Sequence, residues 1–304
     1  MDSSQINLSE LPQYSQWKIT GYVQVVWFIL ILIGALATYI PNFTVVRTNF
    51  RVFLVSFTLY NIFKIAGGIT SIILFHNKTF STNVYIATYV FDSISLGSLI
   101  KCLTPFIQIM INDGFQTPQY FDRNSPLTSK DKEKLAKKNR IFKLLTVVIV
   151  VAIILSIIAA TQIDFSTATP NSTSNTLFKV SSILFLACVI LCTVSLIHIL
   201  TINAYYIKFA ILILICVPLL IVRVIYSIIS SFHGIDYTSP YLLVFGDYRY
   251  YAFMVLLCEG LVAPLYLVTM NYFIYKLKQV NPPTYDASDV ERADSEVHFT
   301  KDNY

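Results

Sequence analysis

Five ionisable side chains sit inside long apolar stretches of this sequence: Lys64, Asp92, Lys101, Arg223 and Glu259. A charge at the centre of a lipid-spanning helix costs at least about 2.5–3.5 kcal/mol on insertion scales, so each should face a bundle interior or a wet cavity. Depth suggests partners. Lys64 and Asp92 fall at similar depth in successive stretches, and Arg223 and Glu259 fall in the last two. The expectation is two ion pairs, Lys64–Asp92 and Arg223–Glu259, or one network holding all four. Lys101 lies deeper and can snorkel to the interface. Arg223, Tyr226, Ser227 and Ser230 recur at i, i+3, i+4 and i+7, which is one stripe of a helix. Tyr60, Lys64, Gly67 and Ser71 form a similar stripe, and Asp92 and Ser95 share a face. The expected intramembrane polar core is Lys64, Asp92, Arg223, Tyr226, Ser227 and Glu259. Its chemistry is that of an ion- or ligand-handling centre, although ion pairs that only fix helix register read equally well.

Little else in the sequence could carry a reaction. The four histidines are scattered without metal-ligand spacing. There is no Ser/His/Asp arrangement and no glycine loop that would cradle a phosphate. The five cysteines, Cys102, Cys188, Cys192, Cys216 and Cys258, fall in apolar stretches and read as packing residues. The expectation is a non-enzymatic protein with no catalytic residue, cofactor, metal or nucleic-acid partner.

The elements that must position the core follow from composition. Of 304 residues, 55% are hydrophobic and only 13% charged, with a mean hydropathy of +0.63. A soluble domain carries about a quarter charged residues. Seven apolar blocks are long enough to cross a bilayer as helices: roughly 21–40, 52–75, 84–111, 144–160, 180–201, 207–232 and 250–275. The predicted fold is an all-α, polytopic, seven-transmembrane helix bundle. Residues 1–19 form an outer tail, 20–275 the membrane domain and 276–304 a disordered tail. Fifteen of the 22 Lys and Arg residues fall on the side of the odd-numbered connections and the C-terminus, against four on the other side. The positive-inside rule then puts the N-terminus outside and the C-terminus in the cytosol. Pro105, Pro218 and Pro264 fall inside spans and are expected to kink them. Tyr237, Tyr241, Tyr248, Tyr250 and Tyr251 read as an interfacial aromatic belt.

The soluble segments add short motifs. Asn7 and Asn171 stand in sequons on the outer side and can accept N-linked glycans. The basic stretch "KDKEKLAKKNRIFK" reads as a topology signal, or as a contact with anionic inner-leaflet lipid worth about 1 kcal/mol per basic residue. The tail holds Pro282, Pro283, Thr284 and Tyr285, a PPxY sequence in a polar, acidic context. Such a segment favours polyproline II, the shape that WW domains read, so a WW-domain ubiquitin ligase is an expected partner.

The last two blocks also carry a resemblance. "VPLLIVRVIYSIISSF" and "FGDYRYYAFMVLLCEGLVAPLYLV" look like the final helices of an uncharacterised fungal seven-transmembrane family. That family's pattern is met by Pro218, Arg223, Tyr226, Ser227, Met254 and Glu259. A weaker likeness is to fungal lipid-translocating exporters linked to sterol-analogue and sphingoid-base resistance. Arg223, Ile225 and Tyr226 match their motif, whereas Ser227, Ser230 and Ser231 depart from it. The resemblance implies a fungal source and a little-understood membrane role. The leading expectation is a plasma-membrane or endomembrane protein, transporter-like or lipid-handling, with its polar core between the second, third, sixth and seventh helices and membrane lipids as its partners. The alternatives are a seven-helix sensor and a non-transporting membrane organiser. A rhodopsin would need a lysine in the last span, and 250–275 holds none. Common G-protein-coupled receptors carry Asp-Arg-Tyr after the third span and Asn-Pro-x-x-Tyr in the seventh; here the third span ends "QIMINDGF" and the seventh "MNYFIYK".

Overall fold

The computed structural model describes residues 13–40, 48–76, 81–114, 129–163, 172–202, 207–233 and 239–280. Asn7, Asn171, Pro282, Pro283 and Tyr285 lie outside them. The helices are α1 (Tyr14–Tyr39), α2 (Thr48–His76), α3 (Thr82–Lys101), α4 (Leu103–Gly114), α5 (Ser129–Thr161), α6 (Ser172–Ile202), α7 (Ile207–His233), α8 (Tyr248–Tyr251) and α9 (Cys258–Val280). A π-helical turn, Ala252–Leu257, joins α8 to α9. Seven spans are long and apolar enough to cross a membrane; α3 with α4 makes the third, and α8 through α9 makes the seventh. The protein is an integral membrane helix bundle. Its outward faces carry residues such as Val26, Ile29, Ile33, Val147, Ile190 and Ile197. Such a surface suits lipid, and helices satisfy their own backbone in a medium without water.

Neighbouring spans pack in chain order, α1 on α2, α2 on α3, α3 on α5, α5 on α6, α6 on α7 and α7 on α9, and α9 returns to α1. The bundle is thus a closed ring, with the third span the most enclosed. The α1–α2 contact is close because Gly68 lacks a side chain: a Cβ there would lie 2.7 Å from Val25 Cγ2. Two apolar clusters fill the interior. One, around Trp17, Phe75, Tyr85, Tyr89 and Tyr251, lies at the end where α1 begins. The other, around Phe28, Phe53, Phe57, Tyr60, Phe106 and Tyr266, lies toward the opposite end.

Several expected boundaries shift, and each shift has a local cause. Helix α1 begins at Tyr14, inside the stretch expected to be a tail. Trp17 extends it by burying its ring on Phe75, stacked at 5.7 Å, and donating from Nε1 to the Gly246 carbonyl at 3.2 Å. Helix α5 starts at Ser129, well before the apolar block at 144, because the Lys-rich stretch, with Glu133, Leu135, Ala136 and Arg140, is itself a good helix former. The third span breaks at Cys102. Pro105 has no N–H for the Lys101 carbonyl, and the Thr104 hydroxyl donates to that carbonyl instead, at 2.9 Å.

Pro218 and Pro264 leave α7 and α9 unbroken. Pro264 deprives the Gly260 carbonyl of its helical donor, and Trp27 Nε1 from α1 supplies one at 3.1 Å. Trp27→Phe should therefore destabilise the fold by about 0.5–1.5 kcal/mol, the net value of a typical hydrogen bond. The same substitution beside Pro264→Ala should cost much less, because the helix then supplies its own donor. Thermal midpoints of the four proteins in that cycle measure the coupling, and equal losses in both backgrounds would contradict it.

Candidate functional site

The charged residues meet in one place. Lys64 Nζ lies 2.8 Å from Asp92 Oδ1 and 2.7 Å from Glu259 Oε2. Arg223 Nη2 donates to Asp92 Oδ2 at 2.5 Å, and Arg223 Nε donates to Glu259 Oε1. Each cation touches both carboxylates, and each carboxylate touches both cations. The result is an alternating, electroneutral ring drawn from α2, α3, α7 and α9. It is not a set of two separate pairs; Lys64–Asp92 and Arg223–Glu259 are two of its four sides. Lys64, Arg223 and Glu259 are at most 1% exposed, and Asp92 is 8% exposed. The Lys64–Glu259 side is a charge contact that lacks hydrogen-bond geometry at Oε2. Low dielectric strengthens such contacts and raises the cost of losing any one of them.

The ring lies between the two apolar clusters, and polar neighbours brace it. Arg223 Nη1 donates to Ser227 Oγ at 2.7 Å. Gln24 Nε2 donates to the Lys64 carbonyl at 2.8 Å, and the Tyr251 hydroxyl donates to Gln24 Oε1 at 3.0 Å. Tyr251 thus leaves the expected aromatic belt and turns inward. The reason is structural: its ring packs on Trp17 and its hydroxyl finds the amide. Tyr250 is 38% exposed and packs at a tilt against Tyr241, with ring centroids 4.8 Å apart, as a belt residue would. Tyr237 lies outside the described residues.

Tyr226 is not a member of the ring. It is fully buried, and its hydroxyl donates to the Leu242 carbonyl at 3.4 Å. Lys101 also stays apart, half-buried at the α3–α4 junction. On the far side of the ring, the Tyr60 and Tyr266 hydroxyls have no hydrogen-bond partner among the described residues, although both side chains are fully buried. The π turn ends at Leu257, two residues before Glu259. One added residue in a turn rotates the helix beyond it by about 100°, and π turns often mark functional positions.

Two crevices reach the ring. One is a narrow cleft with room for little more than a water; it lies among α1, α2, α3 and the seventh span and touches Lys64, Ser71, Thr88, Asp92 and Tyr251. The other, somewhat roomier, lies among α3, α5, α6 and α7 and is lined by six serines beside Asp92. Asp92 and Leu243 line both.

Leu243 belongs to the segment 239–247, which dips into the bundle and buries Leu242, Leu243 and Val244. Phe245 holds a left-handed backbone, φ 80°, that a bulky residue adopts only under constraint. Its ring stacks on Tyr85 at 5.4 Å and meets Phe75 edge-on at 5.7 Å. Trp17, Tyr226, Phe75 and Tyr85 therefore pin this plug from four helices.

The model of DUF7702, a domain of unknown function, matches residues 18–271. The chain belongs to the DUF7702 family. That match runs from α1 to the middle of α9 and takes in the whole charge ring and the plug. No curated protein and no solved structure matches the chain.

The sequence does not point to Gln24, Trp27 or the plug as parts of the site, and its belt pattern places Tyr251 at the interface rather than inside. Gln24 and Trp27 did leave a signal, since an amide and an indole in an otherwise apolar first span each need a polar partner.

Proposed function

We propose that this DUF7702 protein is a non-enzymatic, transporter-like membrane protein that admits a small polar solute or a lipid headgroup to the charge ring. The observation that supports this most is the position of Asp92. It is the most exposed member of the ring and lines both crevices, as does Leu243 of the 239–247 plug. An electroneutral ring can trade one of its internal contacts for a contact with a ligand without leaving a bare charge in lipid. A structural brace needs no crevice beside it. The breaks in the third and seventh spans, at Cys102 and at Ala252–Leu257, supply places where those spans can bend.

Cysteine accessibility tests the reading. The five native cysteines are buried, so a single added thiol reports alone. Ser230→Cys should react with an impermeant maleimide from the side where α1 begins. Phe57→Cys should react from the opposite side, in a minor state. A bundle that labels at neither position is a static organiser, and this reading fails.

The same proposal places the N-terminus outside and the C-terminus in the cytosol, on the fifteen-to-four basic bias. A reporter fused to the C-terminus should be active only in the cytosol; activity on the other face would invert the topology. The basic end of α5 then meets the inner leaflet, where anionic lipids are its natural partners.

The tail motif Pro282–Tyr285 would recruit a WW-domain ubiquitin ligase. Tyr285→Ala removes the ring that the aromatic groove receives, so it should lengthen the protein's half-life in pulse-chase. Equal half-lives in cells that carry such ligases would reduce the motif to a chance match.

A further inference from the structure

We propose that the crevice among α3, α5, α6 and α7 binds a neutral, hydroxyl-bearing group, a polyol or a sugar, either free or as the headgroup of an uncharged lipid. The inference rests on the transporter-like reading in taking the Asp92 crevice as a place a ligand reaches, and it adds the ligand's chemical class. Ser93, Ser156, Ser182, Ser227, Ser230 and Ser231 bring hydroxyls to its wall from four helices. A serine hydroxyl donates once and accepts twice, the same pattern that each hydroxyl of a polyol presents. Mutual satisfaction is therefore possible in any order around the wall.

Charge disfavours ionised small ligands. Asp92 is the one ionisable acid on this wall, and no Lys, Arg or His lines it. Both Asp92 oxygens are taken, Oδ1 by Lys64 at 2.8 Å and Oδ2 by Arg223 at 2.5 Å. An organic cation would have to compete with two buried cations for those oxygens. An anion would meet an acid and no free base. A neutral hydroxylated group is subject to neither penalty.

The rest of the wall fits the carbon side of such a molecule. Tyr89, Phe178 and Phe185 present aromatic faces on which C–H groups pack, and Leu96 and Leu243 close the ends. Part of the hydroxyl set is held in bonds that a ligand could replace. Ser182 Oγ and Ser231 Oγ lie 2.8 Å apart across α6 and α7, and Ser182 reaches the Ser227 carbonyl only at 3.4 Å. The Ser156–Ser181 contact at 2.5 Å is tighter, and Ser181 also donates to the Ala152 carbonyl at 2.8 Å; that pair cements α5 to α6.

The test uses the full chain in nanodiscs, carrying Ser230→Cys on the native background. Its alkylation rate is measured with erythritol, with urea and with choline chloride at equal osmolality. A fourth arm uses discs containing a neutral glycosyl diacylglycerol and no added solute. Polyols stabilise proteins generally by exclusion from their surface. Site binding is therefore read as protection that disappears when Ser182→Val and Ser231→Val are added.

The expected result is a several-fold slowing by erythritol or by the glycolipid, none by urea or choline, and loss of the effect in the valine variant. Slowing by erythritol alone assigns a free polyol, and slowing by the glycolipid alone assigns a headgroup. Protection by choline equal to that by erythritol overturns the proposal, as does no protection in any arm or protection that survives both valines. Protection together with a Phe57→Cys that never labels keeps the ligand class and removes transport.

Discussion

Arg223→Ala should leave little folded protein. The guanidinium forms two sides of the ring and also holds Ser227, and it is fully buried. Its loss leaves two carboxylates facing one ammonium in low dielectric. Breaking a buried pair by removing one partner costs about 3–5 kcal/mol, a large share of a total stability of about 5–15 kcal/mol. Fluorescence-detected size exclusion and a thermal midpoint in mild detergent measure it. Removing Glu259 as well, in Arg223→Ala/Glu259→Ala, restores neutrality around Lys64 and Asp92 and should recover part of the loss. Exchanging the two residues should not. An isolated pair would tolerate exchange, but here it sets a carboxylate beside Asp92 and a guanidinium beside Lys64. An Arg223→Ala protein with a wild-type midpoint would show that the ring does not hold the bundle.

Gly246→Ala should free the plug while the bundle stays assembled. A Cβ on Gly246 would lie 2.4 Å from the Leu242 carbonyl oxygen, 2.6 Å from that of Pro240 and 2.8 Å from Leu242 N. All three are backbone atoms and cannot rotate away, so the loop itself must move. The Trp17 bond to the Gly246 carbonyl and the Asp247 N–H bond to the Pro240 carbonyl, at 2.8 Å, are both at risk. The expected outcome is a Ser230→Cys thiol that reacts many times faster in the alanine background, with monodisperse protein retained. An unchanged rate would show that 239–247 does not close the serine-lined crevice.

The charge ring was largely legible in the sequence because charge inside an apolar block is expensive and must be answered by a partner at the same depth. Lys64, Asp92, Arg223 and Glu259 could be paired by counting residues along the spans. Counting could not show that the four close into one ring, because that depends on how α9 rotates after the π turn, and no local pattern marks such a turn. Tyr226 was assigned to the core on helical spacing alone. It does share the Arg223 side of α7, but it lies nearly one turn further toward the 239–247 segment, and its hydroxyl reaches the Leu242 carbonyl there. The plug was invisible for a different reason. Residues 239–247 look like an ordinary polar-flanked loop, and only contacts with distant helices, Phe245 on Tyr85 and Phe75 and the bonds from Trp17 and Tyr226, draw them inward.

The ring also sets an order for biogenesis. Lys64, Asp92 and Arg223 leave the ribosome first and together carry one unbalanced positive charge. The carboxylate that neutralises them comes 36 residues after Arg223, in the final span. Until that span is released, the half-made bundle holds one intramembrane cation without its counter-charge, which is costly in lipid. A chain that stops before Glu259 would therefore differ from the finished one by an uncompensated charge at mid-membrane.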